Sequence, residues 1–358
     1  LQWREFAPEA EGLPRLEMAV QLLDASARLN LNTAEATQLR KLPGISDRVI
    51  SRILNWRDEK SEDNYSAGPR GYEPKRRPYD SLEELLLVRD VDTRRFFGEP
   101  TARDTSGLAR PPLSEWLTVF SGETNTDAEG NPRLDVNSAG PDELLAAANR
   151  FEPCATREQI LTLVEKRRQR QSGSASGFHF RTVSEALRES GIEEERWGPV
   201  LDAWTVDTRG FLPARLNVNT ASPAVLSTVP GVTEAFVREV VKRREQTPEG
   251  LAWSDLLTLA ANQASPAGPE GQTQPQNGGL QPDQMEQWFC VRSNVYLVRA
   301  LIREAGSTRI DAVSATVFWP ADRGEPARIV QWRRPDRFPG WTAWYRPLLE
   351  NEEPVGDG

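Results

Sequence analysis

The chain repeats one short pattern of apolar and polar residues at 29–34, 134–139 and 216–221. In each segment leucine or valine alternates with asparagine or aspartate, and this period of two predicts a short β-strand. Each strand is followed by an asparagine and then a threonine or serine, whose side chains hydrogen-bond to nearby backbone in turns. The pattern predicts a repeated strand and turn, with the signature residues Asn32, Thr33, Asn137, Ser138, Asn219 and Thr220.

A second pattern follows the first and third copies. Pro43–Gly44 and Pro230–Gly231 stand at the same offset from the signature. Because proline interrupts a helix and glycine readily adopts a positive φ, each pair predicts a tight turn between two helices. In the middle copy, residues 151–154 replace the Pro-Gly turn. The apolar residues at 160–164 again have helical spacing and predict the second helix of that copy.

A further short helix is predicted near the end of each copy, at 81–85, 182–187 and 254–257. The complete unit is therefore a strand, a helix, a turn, a second helix, a loop and a third helix. Three imperfect copies in one chain indicate a tandem repeat.

Strand patterns flank these helical repeats. Residues 294–302, 310–319 and 327–332 predict three successive strands joined by short turns, which is typical of an antiparallel meander. Another strand is predicted near 18–27, before the first repeat. We therefore predict an α+β fold, in which a large helical domain of about three helix-hairpin-helix-like repeats is inserted into a small antiparallel β domain.

Two connecting regions complete the predicted organisation. Residues 116–120 predict a strand that forms a hairpin with the strand starting at Leu134, and the Gly-, Pro-, Gln- and Asn-rich stretch 263–282 is typical of a linker. The predicted segments are an N-terminal part of the β domain (1–28), repeat unit 1 (29–112), a β-hairpin with repeat unit 2 (113–210), repeat unit 3 (211–262), a flexible linker (263–284), the C-terminal strands of the β domain (285–334) and a loose tail (335–358).

Composition supports a globular protein. The 358 residues are 38% hydrophobic, and 44 Lys and Arg against 53 Asp and Glu give a net charge of −9. No apolar run approaches the ~20 residues of a membrane-spanning helix. Because the chain starts at Leu1, we expect that an upstream segment belongs to the native protein.

The rare residues disfavour an enzyme. The chain has one histidine, His179, and two cysteines far apart in sequence, Cys154 and Cys290. A zinc site requires about four closely spaced Cys or His ligands, and no phosphate-binding or dinucleotide-binding glycine motif is present. The cysteines are either two buried free thiols, which we favour, or one disulfide.

The two helices and their Leu-Pro-Gly turn resemble the helix-hairpin-helix family, many members of which bind nucleic-acid backbone. The basic runs at 166–170 and 242–244 favour such a function, because phosphate binding needs concentrated positive charge. The acidic net charge opposes it, as do Asp47 and Glu234 beside the turns. Nucleic-acid binding is therefore the alternative hypothesis, and a solvated basic face is the simpler interpretation.

One acidic cluster is a candidate cation site. Asp58, Glu59, Glu62 and Asp63 lie directly after a predicted helix and offer the oxygen ligands that calcium prefers. A solvated acidic loop is the alternative interpretation and is favoured by sequence alone.

An ordered series of motifs covers most of residues 19–259. Its members are Leu29-Asn30-Leu31-Asn32-Thr33-Ala34, Leu42-Pro43-Gly44, the segments 53–58 and 79–89, Leu117-Thr118-Val119-Phe120-Ser121, and Leu216-Asn217-Val218-Asn219-Thr220-Ala221. In this order they resemble the K-class minor pseudopilins of bacterial type II secretion, the general secretion pathway protein K family.

The resemblance implies a pilin-like β domain and an N-terminal membrane helix that is absent from this chain. It implies a non-enzymatic protein at the tip of a short pseudopilus, on the periplasmic face of the bacterial inner membrane. The expected partners are other minor pseudopilins of the type II secretion system, with exported substrates as further candidates. Family members bind calcium, which adds weight to the acidic cluster without assigning its ligands.

Overall fold

The computed structural model describes residues 4–6, 15–60, 73–98, 112–172, 179–264, 280–320, 324–335 and 342. The β-strands are β1 (Arg4–Phe6), β2 (Leu16–Asp24), β3 (Leu29–Asn30), β4 (Leu117–Thr118), β5 (Gly122–Thr124), β6 (Leu134–Asp135), β7 (Trp204–Thr205), β8 (Phe211–Pro213), β9 (Leu216–Asn217), β10 (Phe289–Cys290), β11 (Val295–Glu304), β12 (Asp311–Phe318) and β13 (Arg328–Arg333).

The α-helices are α1 (Ala36–Lys41), α2 (Asp47–Arg57), α3 (Thr93–Phe97), α4 (Leu113–Trp116), α5 (Pro141–Ala148), α6 (Arg157–Ser172), α7 (Val183–Ser190), α8 (Trp197–Ala203), α9 (Pro223–Leu226), α10 (Glu234–Gln246), α11 (Trp253–Ala264) and α12 (Pro282–Trp288). Short 3-10 helices span Ala25–Ala27, Leu82–Leu87 and Glu194–Arg196. The mixture of helices with an antiparallel sheet is compatible with the predicted α+β class.

The antiparallel sheet is assembled from both ends of the chain. Its strand order is β1-β2-β11-β12-β13, so β2 pairs with β11 although most of the chain separates them. The successive strands β11, β12 and β13 form the predicted antiparallel meander. Arg299 stands opposite Gln21 on one side and Ser314 on the other, which places these three residues on one face of the sheet.

Each repeat is closed by a two-residue parallel bridge between its first and last strands. β3 pairs with β4, β6 with β7, and β9 with β10. The hairpin predicted between 116–120 and Leu134 is therefore wrong. β4 follows α4 directly and pairs with β3 at the start of its own repeat. A parallel pair requires a long crossover connection, and the helices between β3 and β4 provide it.

The chain forms two compact units. The sheet unit contains Leu1–Ser121, Val295–Pro320 and the segment from Glu325 onward, and Gly122–Asn294 makes up nearly all of the helical unit. The first repeat therefore belongs with the five-stranded sheet, and the segment inserted into the sheet unit carries the second and third repeats. The prediction of one inserted domain holding all three repeats is corrected accordingly.

The third repeat also extends further than the predicted boundary at 262. Helix α12 and β10 complete it, so 282–284 are not linker and 285–290 are not part of the large sheet, whose next strand begins at Val295. Residues 265–279 of the predicted linker lie outside the described residues, as does the predicted tail apart from 335 and 342.

Each unit buries the apolar faces of its amphipathic helices. In the sheet unit Leu39, Ile53 and Phe96 are fully buried, and in the helical unit Leu144 and Phe236 are fully buried. Burial of such side chains contributes about 1.5–3 kcal/mol each. Cys154 and Cys290 are buried free thiols.

Candidate functional site

The signature asparagines form the same contact in all three repeats. Asn32 Nδ2 donates to the carbonyl of Tyr79 at 3.0 Å, and the Tyr79 N–H donates to Asn32 Oδ1 at 2.7 Å. Asn137 exchanges the equivalent pair of bonds with Phe180, and Asn219 with Leu251. One side-chain amide thus satisfies both backbone polar groups of a single residue that precedes the last helices of each repeat.

The residues beside these asparagines shape the turn. The N–H groups of Thr33, Ser138 and Thr220 donate to the carbonyls of the residues three positions earlier, at 3.1–3.2 Å. The signature residues therefore have internal partners within their own repeats. The sequence indicated a turn at these positions, and the structure adds the long-range contact of each asparagine.

Three arginines complete the same turn, and sequence reasoning did not single them out for it. Arg167 donates to the carbonyls of Val136 and Ala139 at 2.8 and 2.9 Å. Arg244 donates equivalently within the third repeat, and Arg57 within the first. One sequence feature could have identified them: every copy of the repeat has an arginine in the C-terminal part of its second helix.

The arginine side chains that donate to the turn carbonyls are partly buried. Burial lowers the pKa of the Arg57 and Arg167 guanidinium groups below their usual value, because desolvation disfavours the charged form. Each of these guanidinium groups still donates hydrogen bonds to two backbone carbonyls of the turn.

The basic runs that favoured nucleic-acid binding are largely engaged in internal contacts. Besides Arg167 and Arg244, Arg243 pairs with Asp255 at 3.2 Å, and Arg170 pairs with Glu185 at 3.0 Å. Arg168 pairs with Glu165, one turn away on the same helix. These contacts divide each run among several directions instead of presenting one continuous cationic face.

The predicted Pro-Gly turns occur at the two expected positions. Gly44 has φ of 79° and Gly231 has φ of 82°, the left-handed conformation that favours glycine. Pro43 is exposed and Pro230 half-buried, and the helices that follow begin at Asp47 and Glu234. Acidic side chains at both helix starts oppose the binding of an anion there.

The acidic candidates for calcium are only partly described. Asp58 caps the end of α2, and its Oδ1 accepts a hydrogen bond from the Lys60 N–H at 2.9 Å. Glu59 is exposed, while Glu62 and Asp63 lie outside the described residues. Among the described residues no group of three or more potential ligands is clustered, and the calcium site stays a prediction.

The outer face of the five-stranded sheet exposes several large apolar side chains. Strand register places Val20, Leu22, Ile329 and Trp332 on this face, opposite the face that carries Arg299. Leu22 is 62% exposed and Trp332 is 60% exposed. Apolar side chains exposed together on one surface are typical of an interaction site. We call this surface the outer sheet face.

The other face of the sheet carries charged and polar side chains that contact the first repeat. Arg299 donates to Glu115 at 2.8 Å, and Arg28 reaches the second oxygen of the same carboxylate at 3.3 Å. Burial raises the pKa of Glu115, but the charges of Arg299 and Arg28 outweigh it and hold that pKa below its ordinary value. Arg333 donates to Glu83 at 2.8 Å.

A buried ion network lies within the helical unit. Arg133 donates to both carboxylate oxygens of Glu123, at 3.2 and 3.1 Å, and approaches Asp202 at 3.5 Å. Arg215 also reaches Glu123, and Arg292 pairs with Asp202. Arg215 and Arg292 flank the third repeat, and Asp202 lies in the last turn of α8 in the second. The network therefore connects the two repeats.

Comparison with known proteins gives one structural neighbour to report. It is a chain of the crystal structure of the GspK–GspI–GspJ complex from the type 2 secretion system of enterotoxigenic Escherichia coli. The two chains are 13% identical, the match covers 93% of this chain and 83% of that chain, and the TM-score is 0.34. No family model matches the chain, and no curated protein matches it. A likeness of this degree establishes neither a family nor a function.

Within the described parts of the chain, no helix combines the length and the apolar character that a transmembrane span requires.

Proposed function

We propose that the protein is a non-enzymatic structural component of a type II secretion pseudopilus, located at its tip on the periplasmic face of the bacterial inner membrane. The observation that carries the proposal is the ordered series of sequence motifs, from 29–34 to 216–221, that resembles the general secretion pathway protein K family. The proposed partners are other minor pseudopilins, with exported proteins as further candidates.

The arrangement of the sheet unit is compatible with this role. A strand near the start of the chain pairs with strands near its end, and the helical unit is inserted between them. A sheet built in this way brings the two ends of the chain to one scaffold. In the proposed role, the inserted helical unit adds the size that blocks further subunits from joining the tip.

The outer sheet face supports an assembly role. The resemblance implies an N-terminal membrane helix, and we propose that this helix packs on the apolar surface formed by Val20, Leu22, Ile329 and Trp332. Removing such side chains from water contributes about 25 cal/mol per Å² of apolar area buried. A polar sheet face would lack this driving force.

Capping requires packing and surface contact but no acid–base chemistry. A protein larger than the subunits of a thin rod blocks further addition at the end that it occupies. The internal contacts of the signature asparagines and arginines stabilise the repeats, as such a role needs. Calcium bound near Asp58 is retained as part of the proposal, with no ligand set assigned.

Co-purification tests the proposal. The full-length gene product, tagged and co-expressed with the minor pseudopilins of the same secretion system, is expected to retain them, and deletion of its gene is expected to reduce secretion. Leu22→Glu and Trp332→Glu are expected to weaken assembly, because each places a carboxylate on the outer sheet face.

Leu161→Glu is the matched control, since Leu161 is an exposed leucine of the helical unit, 47% accessible. It is expected to leave assembly unchanged. Normal secretion after gene deletion would contradict the proposal. Tight, salt-dependent DNA binding in a filter assay would instead support the helix-hairpin-helix alternative.

A further inference from the structure

Nearly all of the helical unit is one continuous segment, and the two ends of that segment are bonded together. The chain enters the segment at Gly122 and leaves it at Asn294. The Asn294 N–H donates to the Gly122 carbonyl at 3.2 Å, and Asn294 Oδ1 accepts from the N–H and the hydroxyl of Thr124 at 2.7 and 3.0 Å. Arg292 donates to the carbonyl of Thr126 at 3.2 Å. We call these five residues the neck.

The large apolar core of the helical unit is built from residues that lie between the two sides of the neck. Its buried members run from Val136 to Val291 and include the fully buried Phe236. The buried ion pair of Arg133 with Glu123 belongs to the same continuous segment. A segment that contains its own apolar core and pairs its own buried charges has what an independently folding domain requires.

The five-stranded sheet is built differently, because its central strands come from distant parts of the chain. Strand β2 pairs with β11, and the helical unit lies between them in the sequence. Bringing two strands together across a long flexible loop is entropically unfavourable, and this cost grows with loop length. Thr124 and Asn294 are 170 positions apart, yet the neck holds them within hydrogen-bond distance. A folded helical unit therefore shortens the effective loop between β2 and β11.

We propose that the helical unit folds independently and that the sheet can form only after the helical unit has folded. The neck transmits this dependence, because it fixes the two points at which the chain passes to the sheet unit. The dependence runs in one direction, since the core of the helical unit lies within one continuous segment and needs no closure across the sheet.

The outer sheet face depends on the same step. Val20 and Leu22 lie on β2, whereas Ile329 and Trp332 lie on β13. Because β11 and β12 stand between these two strands in the sheet, the face exists only after β2 has paired with β11. Under the proposed function, a subunit would present its assembly surface only after its helical unit has folded. This consequence rests on the proposed function, and the folding dependence does not.

Hydrogen exchange of the full chain, followed by mass spectrometry, tests the dependence because peptides from each unit report on it separately. Leu301→Asp places a carboxylate at a fully buried position of β11, and Phe236→Asp does the same in α10. Leu301→Asp is expected to remove protection from β2, β11 and β12 while α5 and α10 stay protected. Phe236→Asp is expected to remove protection from both units.

Leu161→Asp is the matched control, because Leu161 is 47% exposed on α6. It is expected to leave both units protected. Loss of protection in α10 caused by Leu301→Asp would overturn the proposal, and so would full protection of β11 in the Phe236→Asp chain. These readouts need no partner, so they are separate from the co-purification test of the proposed function.

The wild-type chain in increasing urea provides a second test that needs no destabilised variant. Pulse-labelled amides of β2 and β11 are expected to lose protection at a urea concentration no higher than those of α5 and α10. Sheet amides that stay protected after the helical unit has unfolded would overturn the proposal.

Asn294→Ala tests the neck itself. The variant loses the two hydrogen bonds between Asn294 Oδ1 and Thr124. Exchange in β11 is expected to become about three- to tenfold faster, while exchange in α10 stays unchanged. Unchanged exchange in β11 would overturn the role assigned to the neck.

Discussion

Asn219 and Leu251 are joined by two hydrogen bonds, in which the side-chain amide of Asn219 pairs with both the N–H and the carbonyl of Leu251. The Nδ2 of Asn219 donates to the carbonyl of Leu251 at 3.0 Å, and the N–H of Leu251 donates to Asn219 Oδ1 at 2.7 Å. Since the first and second repeats contain the same contact, the signature asparagine is a structural device that fixes the loop between the second and third helices.

We predict that Asn219→Ala lowers the free energy of unfolding by about 2–3 kcal/mol. The variant loses three hydrogen bonds, two with the backbone of Leu251 and one to the carbonyl of Val291, and leaves the backbone N–H and carbonyl of the buried Leu251 without these partners. Urea denaturation followed by tryptophan fluorescence measures the change. The control Thr208→Ala alters an exposed side chain of the same unit, and a loss of equal size there would contradict the assigned role.

Arg244→Met is expected to lower the free energy of unfolding by about 2 kcal/mol. The guanidinium donates to the carbonyls of Val218 and Ala221, and methionine preserves much of the side-chain volume but offers no donor. Arg238→Met, on the same helix with a 73% exposed side chain, is expected to stay within about 0.5 kcal/mol of wild type. Equal effects of the two substitutions in urea denaturation would show that Arg244 has no special structural role.

Arg133→Met is expected to cost about 3–5 kcal/mol, because Glu123 would remain buried with a weakened counter-charge. Combining it with Glu123→Gln is expected to cost less than the sum of the single changes. A double-mutant cycle by urea denaturation measures this coupling. The exposed pair Arg157–Asp142 is the comparison, and Arg157→Met is expected to cost at most about 1 kcal/mol.

Glu115 is expected to make the stability of the fold sensitive to acid. Its folded-state pKa lies below the ordinary value of 4.5, since the stabilising charges of Arg299 and Arg28 outweigh the effect of burial. The ionised form therefore stabilises the fold above the unfolded-state pKa, and this contribution is lost as the pH falls through the folded-state pKa.

The comparison of wild type with Glu115→Gln isolates this effect. The difference in unfolding free energy is expected to be constant at neutral pH and to shrink below pH 4.5. Glu304→Gln, at the exposed end of β11, makes the same substitution outside this contact and serves as the control. A difference between wild type and Glu115→Gln that does not change with pH would contradict the prediction.

Gly198→Ala tests the packing of α8 against α11. A Cβ at this position would lie 2.7 Å from the backbone nitrogen of Ser254, which requires the two helices to shift. We expect a loss of about 1–3 kcal/mol in thermal or urea unfolding. Gly210 has open space at the equivalent point, and Gly210→Ala is expected to be nearly neutral.

Local patterns were sufficient to locate most elements. Alternation of apolar residues predicted the strands found at Val295–Glu304, Asp311–Phe318 and Arg328–Arg333, because the period of two is a property of the strand itself. The Pro-Gly pairs predicted the turns at Gly44 and Gly231, since the required positive φ depends on the residue type at that position.

Pairing partners were less predictable. The two-residue strand Leu117–Thr118 pairs with Leu29–Asn30 and not with the nearby strand at Leu134. So short a strand carries too little periodicity to select a partner, and the helices packed between the two segments determine which backbone it meets.

The amino-acid sequence by itself determined the type and approximate position of the strand, helices and turn that recur in the repeats, because those preferences depend on neighbouring residues. Only the tertiary structure decided what the residue types that recur in the repeats do. Arg167 donates to carbonyls 31 and 28 positions earlier in the chain, whereas the adjacent Arg168 pairs with Glu165 at the surface. Two arginines in one run are alike in local preference. They differ in function because folding directs one toward the backbone of its repeat and the other toward solvent.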